Sequence, residues 1–285
     1  MEPGLYIVST PIGNLEDISR RALRVLGSVN VIVAEDTRIT RGLLGKLGVK
    51  IPKLLSYTDF SNSNVVDQVL SGISSGLSIA LVSDAGTPVI SDPGYRLVLA
   101  AQRAKYKVIP IPGPCAAIAA LSISGLPTDK FLFEGFLPEK RPARLKRLSI
   151  LCEERATLIL YEAPHRLKAT IADCIEIFGG NRKSFLGREL TKLYETAYLS
   201  TLLDLQAFVD ANSNQTRGES VLLIAGFRGK STDLSPELAQ LAEKLSEDLS
   251  KKRVSALLAE YSGLARREIY EYLTKPPAKQ SYLPN

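Results

Sequence analysis

Four short stretches place glycine, proline, aspartate and small residues immediately after apolar runs. They are "STPIGNLED" (Ser9–Asp17), "AEDTR" (Ala34–Arg38), "DAGTPVISDPG" (Asp84–Gly94) and "IPGPCAAIAA" (Ile111–Ala120). Proline pre-sets φ and glycine admits close approach, so such loops hold peptide N–H and C=O groups in fixed positions. Ala85, Gly86, Cys115, Ala116 and Ala117 leave room, and Asp84 adds a carboxylate beside that room. The combination suits a compact, polar, partly cationic molecule gripped largely by main chain. Neither phosphate-cradling fingerprint is present: there is no GxGxxG after a strand and no GxxxxGK followed by Ser or Thr. One such loop is ordinary turn chemistry; four consecutive strand exits of this kind point to one shared site.

The elements that must present these loops alternate. Strands are expected at Leu5–Ser9, Val31–Ala34, Ser78–Val82 and Val108–Ile111. Helices are expected at Ile18–Leu26, Thr40–Leu47, Val65–Ile73, Gly94–Arg103 and Ala116–Leu121. That alternation predicts a parallel sheet covered on both faces, with ligands bound outside the carboxyl ends of the strands. "SGLPTDK" (Ser124–Lys130) is a turn-rich break. After it a second α/β set follows: strands Phe131–Phe136, Leu158–Tyr161, Ser184–Arg188 and Ser220–Ala225, a segment around Ala197–Ser200, and helices Pro142–Cys152, His165–Phe178 and Leu202–Ala211. From Ser235 the pattern is helical, with Ser235 as cap before Pro236 and a helix junction at Ser262-Gly263. The expected organisation is α/β: residues 1–124, residues 125–230, and a helical extension over 231–285.

Composition narrows the class. In 285 residues the hydrophobic share is 45% and the charged share 23%, ordinary for a soluble globular protein. No apolar run approaches the roughly 20 residues of a membrane span, and "MEPGLYIVST" has no signal-peptide pattern. Cys115, Cys152 and Cys174 are odd in number and widely spaced, which fits a reducing cytoplasm. One histidine and three scattered cysteines cannot build the usual zinc sites. A net charge of +6 favours a polyanionic partner.

The motifs "TPIGNLEDIS", "AEDTR", "DAGTPVISDPG", "PGPCAAIAALSISGLPT", "FEGFLP", "YEAPHR" and "RELTKLYE", in this order, resemble the RsmI-type ribosomal RNA ribose 2′-O-methyltransferases. These are tetrapyrrole-methylase-like enzymes that use S-adenosylmethionine (SAM), and the likeness covers nearly the whole chain. It implies a SAM pocket between two α/β domains, held by Pro11, Ile12 and Gly13, by Asp84, Ala85, Gly86, Thr87 and Pro88, and by Pro112, Gly113, Pro114, Cys115 and Ala116. It also implies a homodimer that methylates a cytidine ribose in the decoding centre of the small ribosomal subunit. Cys115 departs from the serine that commonly follows PGP, and a thiol is a weaker hydrogen-bond partner.

Methyl transfer to a hydroxyl needs alignment and gains from a base. Base candidates are Glu35 and Asp36 in "AEDTR" and Glu189 and Lys192 in "RELTK"; Asp36 equally suits a helix cap with Arg38 paired beside it. RNA contacts are expected from Arg38, from the run containing Lys140, Arg141 and Arg144, and from His165, Arg166 and Arg188; no metal is required. Two alternatives stay open. One is a small-molecule methylase of the same fold acting on a corrin or sirohaem precursor; the other is a non-catalytic RNA- or ribosome-binding protein.

Overall fold

Strands β2 (Val31–Ala34) and β4 (Ser78–Val82) are apolar apart from Ser78 and buried at every position, the pattern a strand needs when both faces are covered. With β1 (Gly4–Val8), β3 (Lys53–Ser56) and β5 (Val108–Ile111) they form a five-stranded sheet of order β3-β2-β4-β1-β5, parallel throughout. Alternate residues feed two cores: Ile32 and Ala34 on one face, Val31 and Val33 on the other. Helices α1 (Arg20–Leu26), α2 (Thr37–Lys46), α3 (Ser63–Ser74) and α4 (Tyr95–Arg103) make the crossovers. β3 has no counterpart among the strands expected from sequence, because a four-residue, half-exposed edge carries little apolar signal. The computed structural model describes residues 1–58, 63–228, 234, 236–262, 264 and 266–274; Ser235 and Gly263, expected as a cap and a junction, lie outside them.

The second sheet comprises β6 (Phe131–Phe136), β7 (Thr157–Glu162), β8 (Lys183–Arg188), β9 (Thr196–Thr201) and β10 (Ser220–Ile224), in the order β6-β7-β10-β8-β9. It is mixed: β6 and β7 are parallel, whereas β10 inserts antiparallel between β7 and β8, and β9 pairs antiparallel with β8. Helices α6 (Arg141–Ile150), α7 (Leu167–Phe178) and α8 (Leu202–Ala211) belong to this half. Its other face is covered by α5 (Ala116–Ile123), the helix that leaves the first sheet. Ala117, Ala120 and Leu121 of α5 pack with Ile159, Phe185, Val221 and Leu223. A helix shared between two sheets joins them into one body, and residues 1–225 accordingly form a single compact unit.

Residues 226–285 form a second unit. It contains α9 (Pro236–Asp248), α10 (Lys251–Ser262) and α11 (Arg266–Thr274) around Ala242, Val254, Leu258 and Ile269. Among the described residues no helix is long and apolar enough to cross a membrane.

The basic run at the start of α6 turns inward. Arg144 is 4% exposed and its Nε donates to the buried Asp173 of α7 at 2.7 Å. Its Nη1 donates to the Glu139 carbonyl at 2.9 Å. Arg144, expected at an RNA-facing surface, is therefore corrected to a structural ion pair. Truncating Arg144 leaves the buried Asp173 with only the more exposed Arg141 as a cation. Arg144→Leu is expected to lower stability in urea unfolding by about 3 kcal/mol, and Arg144→Leu with Asp173→Leu to recover most of that loss.

Candidate functional site

The tips of β1, β4 and β5 are locked to one another. Thr10 and Gly86 exchange backbone hydrogen bonds of 2.8 and 3.1 Å, an isolated antiparallel bridge between the first and third loops. The Thr87 hydroxyl donates to the Pro114 carbonyl at 2.9 Å. Its single proton is thereby used, so the Ser9 hydroxyl, 2.9 Å away, is the donor in their contact. Gly86 adopts φ +81°, and a Cβ there would press on Ile12 at 3.3 Å. At Gly113 a Cβ would stand 2.8 Å from that of Ser9. Gly86 is favoured by its left-handed backbone and Gly113 by close approach.

Between these loops and the second sheet lies a cavity of about 430 Å³, within the range of small-ligand sites. Ile12, Asp84, Ala85, Gly86, Thr87, Cys115 and Ala116 line it, as does Glu35. Pro11 and Pro88 are buried behind the loops, and Gly13, Pro112, Gly113 and Pro114 shape the backbone without lining the space. The opposite wall comes from Phe136, Tyr161, Glu162, Ala163, Pro164, Gly187, Leu190, Glu219, Ser220 and Val221, together with Ile90, Ser91 and Asp92 of the third loop. Sequence reasoning assigned none of these to the cofactor. "YEAPHR" was the available signal for residues 161–164; Ser220 and Val221 sit in an ordinary apolar strand and carry none.

Cys115 takes the N-cap position of α5 but makes no capping bond. The Ala117 N–H donates instead to the Tyr161 hydroxyl across the cavity wall, at 3.2 Å. Burial, first, and the neighbouring Cys115 keep the Tyr161 phenol neutral by pushing its pKa upward.

The carboxylates in the cavity differ sharply. Glu162, 2% exposed, is committed to Thr170 and to Arg166, whose Nε is 3.1 Å away. Glu219 is paired with Lys192 at 2.8 Å. Asp84 accepts from the Asp36 N–H at 3.1 Å, and burial raises its pKa. Asp92 is pushed up to about 6, mainly by burial; the Ser83 hydroxyl opposes that rise, and the charges of Glu35 and Asp84 add to it.

Three of the expected bases lie outside the cavity lining. Asp36 caps α2, accepting from the Arg38 N–H at 2.8 Å and from its guanidinium at 2.6 and 3.1 Å. Those bonds hold it at about 2, too weak a base for a hydroxyl proton. Burial would raise Glu189, but the Lys192 ammonium and the Glu219 N–H outweigh it and hold it below its ordinary value. Burial would lower Lys192, yet its bonds to Glu219 and Glu189 raise it, so it stays an ammonium. Of the expected RNA contacts, Lys140 and His165 are exposed. Arg141 is 59% exposed but paired with Asp173 and Glu176, and Arg38 is 89% exposed but paired with Asp36. Arg188 is a second correction: it is 6% exposed and its guanidinium donates to the Arg217 and Tyr194 carbonyls. Arg166 is a third, holding the Leu137 carbonyl at 2.6 Å beside Glu162. Among the described residues no cluster suited to a metal ion occurs.

Residues 4–206 match the family described as tetrapyrrole (corrin/porphyrin) methylases. The ribosomal RNA small subunit methyltransferase I of Pseudomonas aeruginosa is 45% identical over 94% of this chain and 95% of its own. That of Xylella fastidiosa is 46% identical over 94% and 98%. Among solved structures, a cobalt precorrin-4 methyltransferase superposes with a TM-score of 0.57 at 17% identity, covering 78% of this chain and 94% of its own. A uroporphyrin-III C-methyltransferase from Thermus thermophilus, complexed with S-adenyl homocysteine, gives 0.51 at 17%, covering 78% and 97%. At such identity the structures speak for the fold alone.

Because folding raises the Asp92 pKa, the folded protein holds that proton more tightly than the unfolded chain. The resulting stability is complete below about pH 4 and is lost as pH rises through about 6. Asp92→Asn is therefore expected to stabilise the ligand-free protein at pH 7.5, by about 1 kcal/mol after allowance for partial solvation, and to make little difference at pH 4. Thermal unfolding of both proteins across this pH range checks it; equal gains at both ends would refute the assignment.

Proposed function

The chain belongs to the tetrapyrrole (corrin/porphyrin) methylase family and groups with its small-subunit ribosomal RNA methyltransferase I members, and from that premise we propose that it methylates the 2′-hydroxyl of a cytidine ribose in the decoding centre of small-subunit ribosomal RNA, using SAM. The reading includes a homodimer working in the cytoplasm on this RNA. The observation that carries it is the locked cavity at the strand tips, with Asp84, Glu35 and Asp92 on its wall. SAM supplies an activated methyl group when bound. The residues fit it: small side chains leave room, Gly86 and Gly113 let backbone approach closely, and acidic groups favour a ligand of net positive charge. Pro11, Ile12, Gly13, Asp84 to Pro88 and Pro112 to Ala116 form the binding loops in this reading, some by contact and others by shaping the backbone.

The attacking hydroxyl must lose its proton. We assign that proton to an Asp92 carboxylate oxygen, with Glu35 as its neighbour. Burial pushes the Asp92 pKa up to about 6, toward the range where a general base is most effective. Asp36, Glu189 and Lys192 support the surrounding loops. Lys140, Arg141 and His165 remain for phosphate contact. The macrocycle alternative is less well supported, since 45–46% identity over nearly the whole chain lies with RNA enzymes and 17% with tetrapyrrole enzymes.

Incubation with labelled SAM and small subunits lacking the modification is expected to label one ribose. Label on a tetrapyrrole alone, or none, would overturn the reading. Asp92→Asn should bind SAM in calorimetry yet lose about 10²–10⁴-fold in turnover. In the wild type kcat/KM should climb as pH passes upward through about 6 and then level off.

A further inference from the structure

Phe136 is a large apolar side chain that is 56% exposed and lines the cavity. It reaches that position through an irregularity in β6. The β6–β7 register runs Phe133 to Ile159 and then skips to Gly135 opposite Leu160 and Phe136 opposite Tyr161. Gly135 adopts φ +71°, and a Cβ there would meet the Ser91 hydroxyl at 3.0 Å. In a regular strand Phe136 would share a face with Leu132 and point into the core beneath α6 and α7. The extra residue reverses this: Leu137 takes the core position at 2% exposure, and Phe136 joins Phe133 on the cavity face. Both rings pack edge-to-face on Tyr161, at 5.1 and 5.7 Å. Bulges are commonly used to re-aim a side chain beside an active site.

The turn that follows is held rigidly. Arg166, from the turn after β7, donates to the Leu137 carbonyl and Arg144, from the basic run, to that of Glu139, so two guanidinium groups brace the exit of β6. The exposed Lys140 and His165 stand on the two turns joined by that bracing. An apolar ring, oriented by Tyr161, open over more than half its surface and followed four residues on by the exposed Lys140, is the arrangement that receives an unstacked base of single-stranded RNA.

We propose that Phe136 is a stacking platform for a nucleobase of the RNA substrate, at the mouth of the methyl-donor cavity. The proposal rests on the RNA-methyltransferase reading above. A ribose can enter a cavity only if its nucleotide leaves the helical stack, and stacking on Phe136 replaces part of what is lost.

The test measures kcat/KM on unmodified small subunits, and SAM affinity by calorimetry, for wild type, Phe136→Ala, Phe136→Leu and Phe136→Trp. Alanine and leucine are expected to lower kcat/KM by about 10- to 100-fold, tryptophan to retain it, and SAM affinity to stay unchanged in all three. Leucine matching wild type would reduce Phe136 to apolar packing. A parallel fall in SAM affinity would assign the ring to the donor; either result overturns the proposal. A second arm uses an RNA fragment with an abasic ribose at the labelled nucleotide. Wild type should lose activity on it, and Phe136→Ala should lose little more; independent, multiplying losses would show that base and ring do not meet. Wild type that labels no small-subunit RNA would refute the function itself, a result distinct from failure of the platform.

Discussion

A single hydroxyl holds the site together. Proline-rich loops lack N–H groups, so they cannot zip into a ladder, yet their carbonyls still need partners. Thr87 answers this by donating to the Pro114 carbonyl while accepting from Ser9, and the Thr10–Gly86 backbone pair fixes the remaining edge. Three strand tips thus become one surface of immobile peptide groups. The glycines follow from it: Gly113 sits where Ser9 leaves no room for a methyl group, and Gly86 takes a left-handed φ of +81°. Short side chains in these loops are a consequence of the interlock as well as a provision for a ligand.

The second consequence is that the two sheets are tied together through one helix. α5 begins in the loop that Thr87 holds and ends packed on the second sheet. Its first turn needs an acceptor for the Ala117 N–H, and Tyr161 of the second sheet supplies it where Cys115 does not. Tyr161 in turn orients Phe133 and Phe136. One residue therefore caps a helix, closes a cavity wall and aims two aromatic rings, which is why the opposite wall is as well defined as the loops.

Most of the elements were legible in the sequence because their signals are local. Strands such as Ser78–Val82 read as unbroken apolar runs, and the four loops declare themselves by proline and glycine. The family resemblance carried the cofactor and the fold. What local sequence cannot carry is which strand lies beside which. Nothing within Ser220–Ile224 says that it inserts antiparallel between β7 and β8, and that insertion brings Ser220 and Val221 to the cavity. Arg144 was misread for the same reason: a basic run looks solvated until Asp173, 29 residues away, is placed beside it. β3 escaped notice because an exposed edge of four residues buries too little to pattern its sequence.

The buried charges separate structure from chemistry. Asp173 and Glu162 are shielded almost completely, yet each faces an arginine, so their negative charge is balanced and they brace turns. Asp92 is shielded less but has two carboxylates, Glu35 and Asp84, for company and only a serine hydroxyl in support. Burial without a cation makes the ionised form costly, and a fold that retains such a group keeps it against a stability gain that one amide substitution would deliver. A positively charged ligand in the cavity offsets that cost, so the charge that lowers stability at Asp92 favours the cofactor. Arg144, drawn inward to balance Asp173, and Arg166, which balances Glu162, stiffen the strand exit that carries Phe136. Counting positive residues along the chain therefore overstates the surface available to RNA and misses the aromatic ring that those residues support.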